Sequence, residues 1–179
     1  MNDIKKLGLK YGTDKVTKHN YDIVYHDLFK DKRETVKKVL EIGVAEGAGL
    51  RMFRDYFPNA MIYGADNDPD RILKEDRIET HLCDQANFRD LVHLIDKIGG
   101  DIDLVVEDGS HKPNDQLFTS LYLLPLLKKG SVYIIEDVNV AFVDLLDVGL
   151  NKYEHYIQEL PIVYVHRRRS DNRLVIIKR

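Results

Sequence analysis

Five times along the chain a short, nearly uninterrupted apolar run gives way to a segment whose apolar residues recur at helical spacing. The runs are KKVLEIGVA (37–45), AMIYGADN (60–67), RIETHLCD (77–84), DIDLVVED (101–108) and SVYIIED (131–137). Each is short and rich in β-branched residues, as a buried strand requires. Between them, GAGLRMFRDYF (47–57) places Leu50, Phe53 and Phe57 on one helical face, and Pro58 and Asn59 end it. PDRILKED (69–76) reads as a short helix with Pro69 near its start. NFRDLVHLIDKIG (87–99) is helical and closes on Gly99 and Gly100. Residues 114–130 form a helix disturbed at Pro125, and residues 140–160 read as mostly helical, with a break at Gly149. IVYVHRR (162–168) and RLVIIKR (173–179) read as a closing β-hairpin. In 11–29 only the second half has helical spacing, with Tyr25 and Leu28 facing inward.

Strand and helix in alternation predict an α/β Rossmann-like fold. It has a mostly parallel seven-stranded sheet, a C-terminal antiparallel hairpin and helices on both faces. The expected organisation is one domain over 1–179, with a covering segment at 1–35 and the core at 36–179. Ligands of such sheets bind beyond the carboxyl ends of the strands. Two runs end there on acids: Glu107 and Asp108 in one, Glu136 and Asp137 in the other. Buried acids are costly unless something positive compensates them.

Composition narrows the partners. The chain has 179 residues, 44% of them hydrophobic and 32% charged, which fits a soluble globular protein. A net charge of −3 supplies no basic field of the kind that drives nucleic-acid binding. The HRRR run at 166–169 reads first as a solvated hairpin end. The single cysteine, Cys83, excludes an internal disulfide framework and a cysteine metal cluster. The chain start lacks a signal-peptide core and no run reaches membrane-spanning length, so a cytoplasmic protein with no membrane partner is the expectation. The oligomeric state is open, a homo-oligomer included.

The turn after the first strand carries Glu41, Gly43 and Gly47, with Ala45 where a dinucleotide fingerprint has its middle glycine. Asp66 closes the second strand at ribose-binding distance in sequence, and Asp84 and Gln85 follow the third. Taken singly, the turn and both acids also read as ordinary turn and cap features. Together they suit an adenosine-containing ligand with no pyrophosphate. Asp108, Glu136 and Asp137 would repel one another at adjacent strand ends, which a hard divalent cation resolves. His111 lies three residues past Asp108 and suits a general base. In the competing reading, Glu136 caps the next helix and Asp108 pairs with His111.

The array LEIGVAEG, YGADND, CDQ, VVEDGSH and YIIEDV, preceded by KYGTDK, resembles the class I S-adenosylmethionine (SAM) dependent methyltransferases. It is most similar to the metal-dependent sugar O-methyltransferases of the macrocin and mycinamicin type. The resemblance implies metal ligands at Asp108, Glu136 and Asp137, with Mg²⁺ or Mn²⁺ bound, and a catalytic His111. It implies that Glu41, Gly43 and Gly47, with Ala45 and Glu46, cradle the amino-acid end of SAM. Asp66 and Asn67 would hold the ribose, Asp84 and Gln85 the adenine, and Thr13 would close over the methionine part. The acceptor it implies is a sugar or glycan hydroxyl. Two departures bear on that acceptor: the chain shows no sizeable extra N-terminal domain, and VNVAFVD (138–144) has no obvious match to a substrate-contacting segment. The rivals are a metal-independent methyltransferase acting on another small molecule or on nucleic acid, an NAD-dependent oxidoreductase, and a non-enzymatic scaffold.

Overall fold

The computed structural model describes residues 1–160 and 171–179. Three helices open the chain: α1 (Asp3–Tyr11), α2 (Asp14–Thr17) and α3 (Asp22–Phe29). The core then alternates β1 (Lys38–Ile42), α4 (Ala48–Tyr56), β2 (Met61–Asp66), β3 (Lys74–Glu75), β4 (Ile78–Leu82), α5 (Phe88–Ile98), β5 (Leu104–Glu107), α6 (Pro113–Leu123) and β6 (Val132–Ile135). It closes with α7 (Val143–Gly149), β7 (Glu154–Glu159) and β8 (Arg173–Lys178). The strands form one sheet in the order β3-β4-β2-β1-β5-β6-β8-β7. Five are parallel, β4 through β6 in that order, while β3 pairs antiparallel with β4, β8 with β6 and β7 with β8.

Strand alternation divides the interior into two layers. Val39, Leu104, Val106 and Ile134 face α1–α4, where they meet Tyr25, Leu50 and Phe53. Leu40, Val105, Tyr133 and Ile135 face α5–α7, against Leu94, Leu123 and Leu146. β1 and β5 are adjacent, and the chain reverses its direction across the sheet between them, so a crevice opens at their carboxyl ends.

Four expectations change. Among the described residues the sheet has eight strands rather than seven. Residues 69–76 hold one 3₁₀ turn (Pro69–Arg71) and then the short β3, because Ile72 and Leu73 leave the turn extended and lead into pairing with β4. The helix read over 140–160 stops at Gly149, and 154–159 is an edge strand on β8. Its exposed polar residues resemble a helix surface because only one side of an edge strand is packed. The chain start is helical as well, with Asn2 capping α1 through the Lys5 amide at 2.7 Å. The strand read at 162–168 and the 166–169 run lie outside the described residues. Among the described residues no helix is long and apolar enough to cross a membrane.

Candidate functional site

Two cavities flank the turn after β1 and share Gly43. One, of about 320 Å³, is lined by Asp66, Asn67, Asp84 and Gln85. The other, of about 230 Å³, is lined by Thr13, Glu41, Ala45, Glu46 and Asp108. Of the residues expected to hold a nucleoside ligand, only Gly47 lines neither. Gly43 has φ +92°, and a Cβ there would lie 2.1 Å from the Asp108 carbonyl oxygen. Glycine is therefore demanded by the close approach of β1 to the chain after β5.

The polar groups of the first cavity also build its walls. The Asp66 carboxylate accepts the Val44 amide at 2.8 Å and the Asp68 amide at 3.0 Å, fixing the glycine turn. Asp84 accepts the Ala86 amide at 2.9 Å and is exposed. Gln85 is buried and fully engaged. It donates to Glu107 Oε1 at 2.7 Å and to Thr119 Oγ1 at 3.3 Å, and it accepts the Ser110 amide at 2.7 Å. It thus ties the loop carrying His111 to the sheet.

Strand alternation decides where the strand-end acids go. Glu41, Asp108 and Glu136 share the α1–α4 side, and Lys15 of α2 reaches all three. Its Nζ lies 2.5 Å from Asp108 Oδ2, 2.6 Å from Glu136 Oε2 and 3.1 Å from Glu41 Oε1. Lys15 is only 2% exposed. Burial opposes its charge, but Asp108, Glu136 and Glu41 outweigh that and hold it well above the ordinary lysine range. Burial pushes Glu41 up to about 7, with Lys15 pulling the other way. Glu136 is likewise pushed up by burial against the pull of Lys15, and its other oxygen accepts from the Tyr25 hydroxyl.

Asp137 would point to the opposite side of a regular strand. Its φ of +54° ends the strand and turns it to Tyr21, whose hydroxyl donates to Oδ1 at 2.6 Å. Burial raises its carboxyl pKa, against that hydrogen bond and His19 nearby. Ala45, His111 and Asp137 are three of the five non-glycine residues with positive φ among those described. Such conformations cost about 1–3 kcal/mol each and cluster at functional sites. His111 is exposed, with Nδ1 3.8 Å from Asp108 Oδ1.

One ligand atom each from Asp108, His111 and Asp137 lies within 4.8 Å of the others. Two carboxylates and an imidazole at this spacing fit Mg²⁺ or Mn²⁺. Glu136 is set beside this group and committed to Lys15 and Tyr25. Lys15, Tyr21 and Tyr25 were not among the expected site residues. The KYGTDK segment and the helical spacing of Tyr21 and Tyr25 carry the signal, which in sequence is indistinguishable from a cofactor cover and a packed helix face.

A model of the family described as "Methyltransferase domain" matches residues 40–138, the stretch from β1 to the acid pair after β6. The chain belongs to this family. The rhamnosyl tetracenomycin-C 2'-O-methyltransferase of Streptomyces olivaceus is 34% identical to this methyltransferase chain over 143 residues, 76% of the chain and 38% of the relative. The mycinamicin VI 2''-O-methyltransferase of Micromonospora griseorubida is also 34% identical, over 149 residues, 78% of the chain and 37% of the relative. The methyltransferase chain thus spans under two-fifths of the length of these relatives. MycE methyltransferase from the mycinamycin biosynthetic pathway, solved with Mg and SAH, superposes with a TM-score of 0.75 at 26% identity, over 99% of this chain and 54% of that one.

Proposed function

We propose that this methyltransferase transfers the methyl group of SAM to a hydroxyl of a sugar or glycan, assisted by a divalent cation. One observation carries the reading: Asp108 belongs both to the second cavity and to the Asp108–His111–Asp137 group. The donor's methionine end and the reacting hydroxyl are thereby given neighbouring places. By their names the relatives above are O-methyltransferases of a rhamnosyl tetracenomycin-C and of mycinamicin VI, and MycE was solved with Mg and SAH.

The cavity lined by Asp66 and Asp84 takes the nucleoside, and that lined by Thr13 and Glu41 the methionine part. Both Asp66 oxygens already hold backbone amides, so the ribose is taken by their remaining lone pairs. The side chain of Gln85 is spent on Glu107 and Ser110, so adenine meets its backbone and Asp84. The methyl carbon leaves the sulfonium sulfur as the acceptor oxygen bonds to it, in line, and His111 takes the hydroxyl proton. Asp108 and Asp137 would hold the dication, which supplies positive charge against the developing alkoxide. Lys15 keeps Asp108 and Glu136 in place.

The test is a SAM-turnover screen of sugar nucleotides and glycosides, with and without Mg²⁺ or Mn²⁺. The expected result is turnover that stops in excess EDTA and returns with metal. His111→Ala is expected to lower turnover about 10²–10⁴-fold with SAM affinity unchanged; unchanged turnover removes the base assignment. A second reading, metal-independent transfer, is favoured by Lys15, which already places a positive charge among three of the acids. Full activity in EDTA selects it.

A further inference from the structure

We propose that Tyr21 and Tyr25 are positioning residues for a divalent-cation site: Tyr21 orients the Asp137 carboxylate toward the cation, and Tyr25, with Lys15, holds Glu136 beside it. This rests on the metal-assisted reading above. The two tyrosines are four residues apart at the start of α3, so their rings share one helix face. The acids they meet are consecutive in sequence, and in a regular strand would point to opposite sides of the sheet. The left-handed conformation of Asp137 brings both carboxylates to α3, and each receives one hydroxyl. The Tyr21 oxygen also accepts the Asp137 amide at 3.3 Å, bracing the bend itself.

The pairing is not a general consequence of burying tyrosine in this protein. Tyr56 is equally buried, and its hydroxyl makes no hydrogen bond among the described residues. The two ring planes are also fixed. Tyr21 stacks on the buried His19 with centroids 4.8 Å apart, and Tyr25 meets Phe53 edge-on at 5.3 Å. His19 in turn meets Asn172 Oδ1 at 2.7 Å, which joins this wall to the chain entering β8. A carboxylate held by a fixed donor on one oxygen presents its remaining lone pairs in one direction, and removing such outer partners weakens metal sites.

The experiment titrates the full chain with Mn²⁺, followed by electron paramagnetic resonance, with SAM affinity measured by calorimetry. Tyr21→Phe and Tyr25→Phe remove one hydroxyl each without changing charge. Each is expected to weaken Mn²⁺ binding about 10–100-fold while SAM affinity stays within about 2-fold. Tyr56→Phe, which removes an unpartnered hydroxyl, is expected to leave Mn²⁺ affinity unchanged. Wild-type Mn²⁺ affinity in both folded α3 variants overturns the assignment alone. A wild-type chain that takes no Mn²⁺ overturns the metal-assisted reading together with it. A variant that loses SAM affinity in parallel with Mn²⁺ has a structural role only, which also overturns the assignment.

Discussion

Glu107 and Asp108 are neighbours in sequence, yet the protein surrounds the carboxylates at these two positions in opposite ways. Asp108 lies on the α1–α4 side with Glu41 and Glu136, around the ammonium of Lys15. Glu107 lies on the α5–α7 side with no cation beside it among the described residues. Gln85 and a backbone amide partly offset its burial, which pushes its carboxyl up to about 8. One oxygen meets Gln85, and the other has no hydrogen-bond partner among the described residues. One cluster gathers its acids around a buried ammonium, while at Glu107 burial without such a counter-charge favours the neutral carboxyl. The first suits a site that works on ions; the second serves as a rigid wall for the neighbouring cavity.

The comparison breaks most sharply at Lys15. Lys15→Met leaves buried carboxylates without a cation and is expected to cost about 3–5 kcal/mol at neutral pH, read from urea unfolding. Adding Glu136→Gln is expected to return part of that loss. A single variant as stable as the wild type means that the ammonium does not hold this cluster.

The Glu107 side is tested by pH. A carboxyl raised in the folded state contributes stability that is complete below its unfolded value of 4.5 and lost as pH rises toward about 8. Glu107→Gln removes that dependence, at most about 1.4 kcal/mol per pH unit. Its urea midpoint is expected to gain on the wild type's between about pH 5 and pH 8. Parallel pH profiles for the two proteins mean that Glu107 is ionised when folded.

Smaller effects sharpen the same contrast. Gln85→Ala leaves Glu107 and the Ser110 amide unpaired and is expected to cost about 1–3 kcal/mol by thermal unfolding. Thr119→Val removes a hydroxyl that bonds Gln85 and the Asp115 carbonyl, with an expected loss of about 0.5–1.5 kcal/mol. If Thr119→Val proves the more damaging of the two, Gln85 is not the centre of this wall.

What the sequence made legible follows the range of the interactions. The apolar runs of β1, β5 and β6 are buried along their length, so composition alone marks them. α5 shows its periodicity because one face is solvated. β7 hid because its neighbours lie on one side only and its residues are mostly polar. The acids at the strand ends were visible as an anomaly, and a positive partner was the right demand. That the partner includes Lys15 was not legible, since it lies 93 residues from Asp108 and 121 from Glu136. The tyrosines showed their spacing, but their hydroxyl partners exist only once α3 crosses the end of β6.

Gly43 brings no side chain to the proposed reaction, yet both cavities touch it and the Asp108 carbonyl presses against it. A methyl group there would pry β1 from the chain after β5, deforming the seats of donor and ion in one stroke. Mutational drift should therefore be tolerated less at this chemically inert position than at exposed polar residues such as Asn67, which face a single chamber.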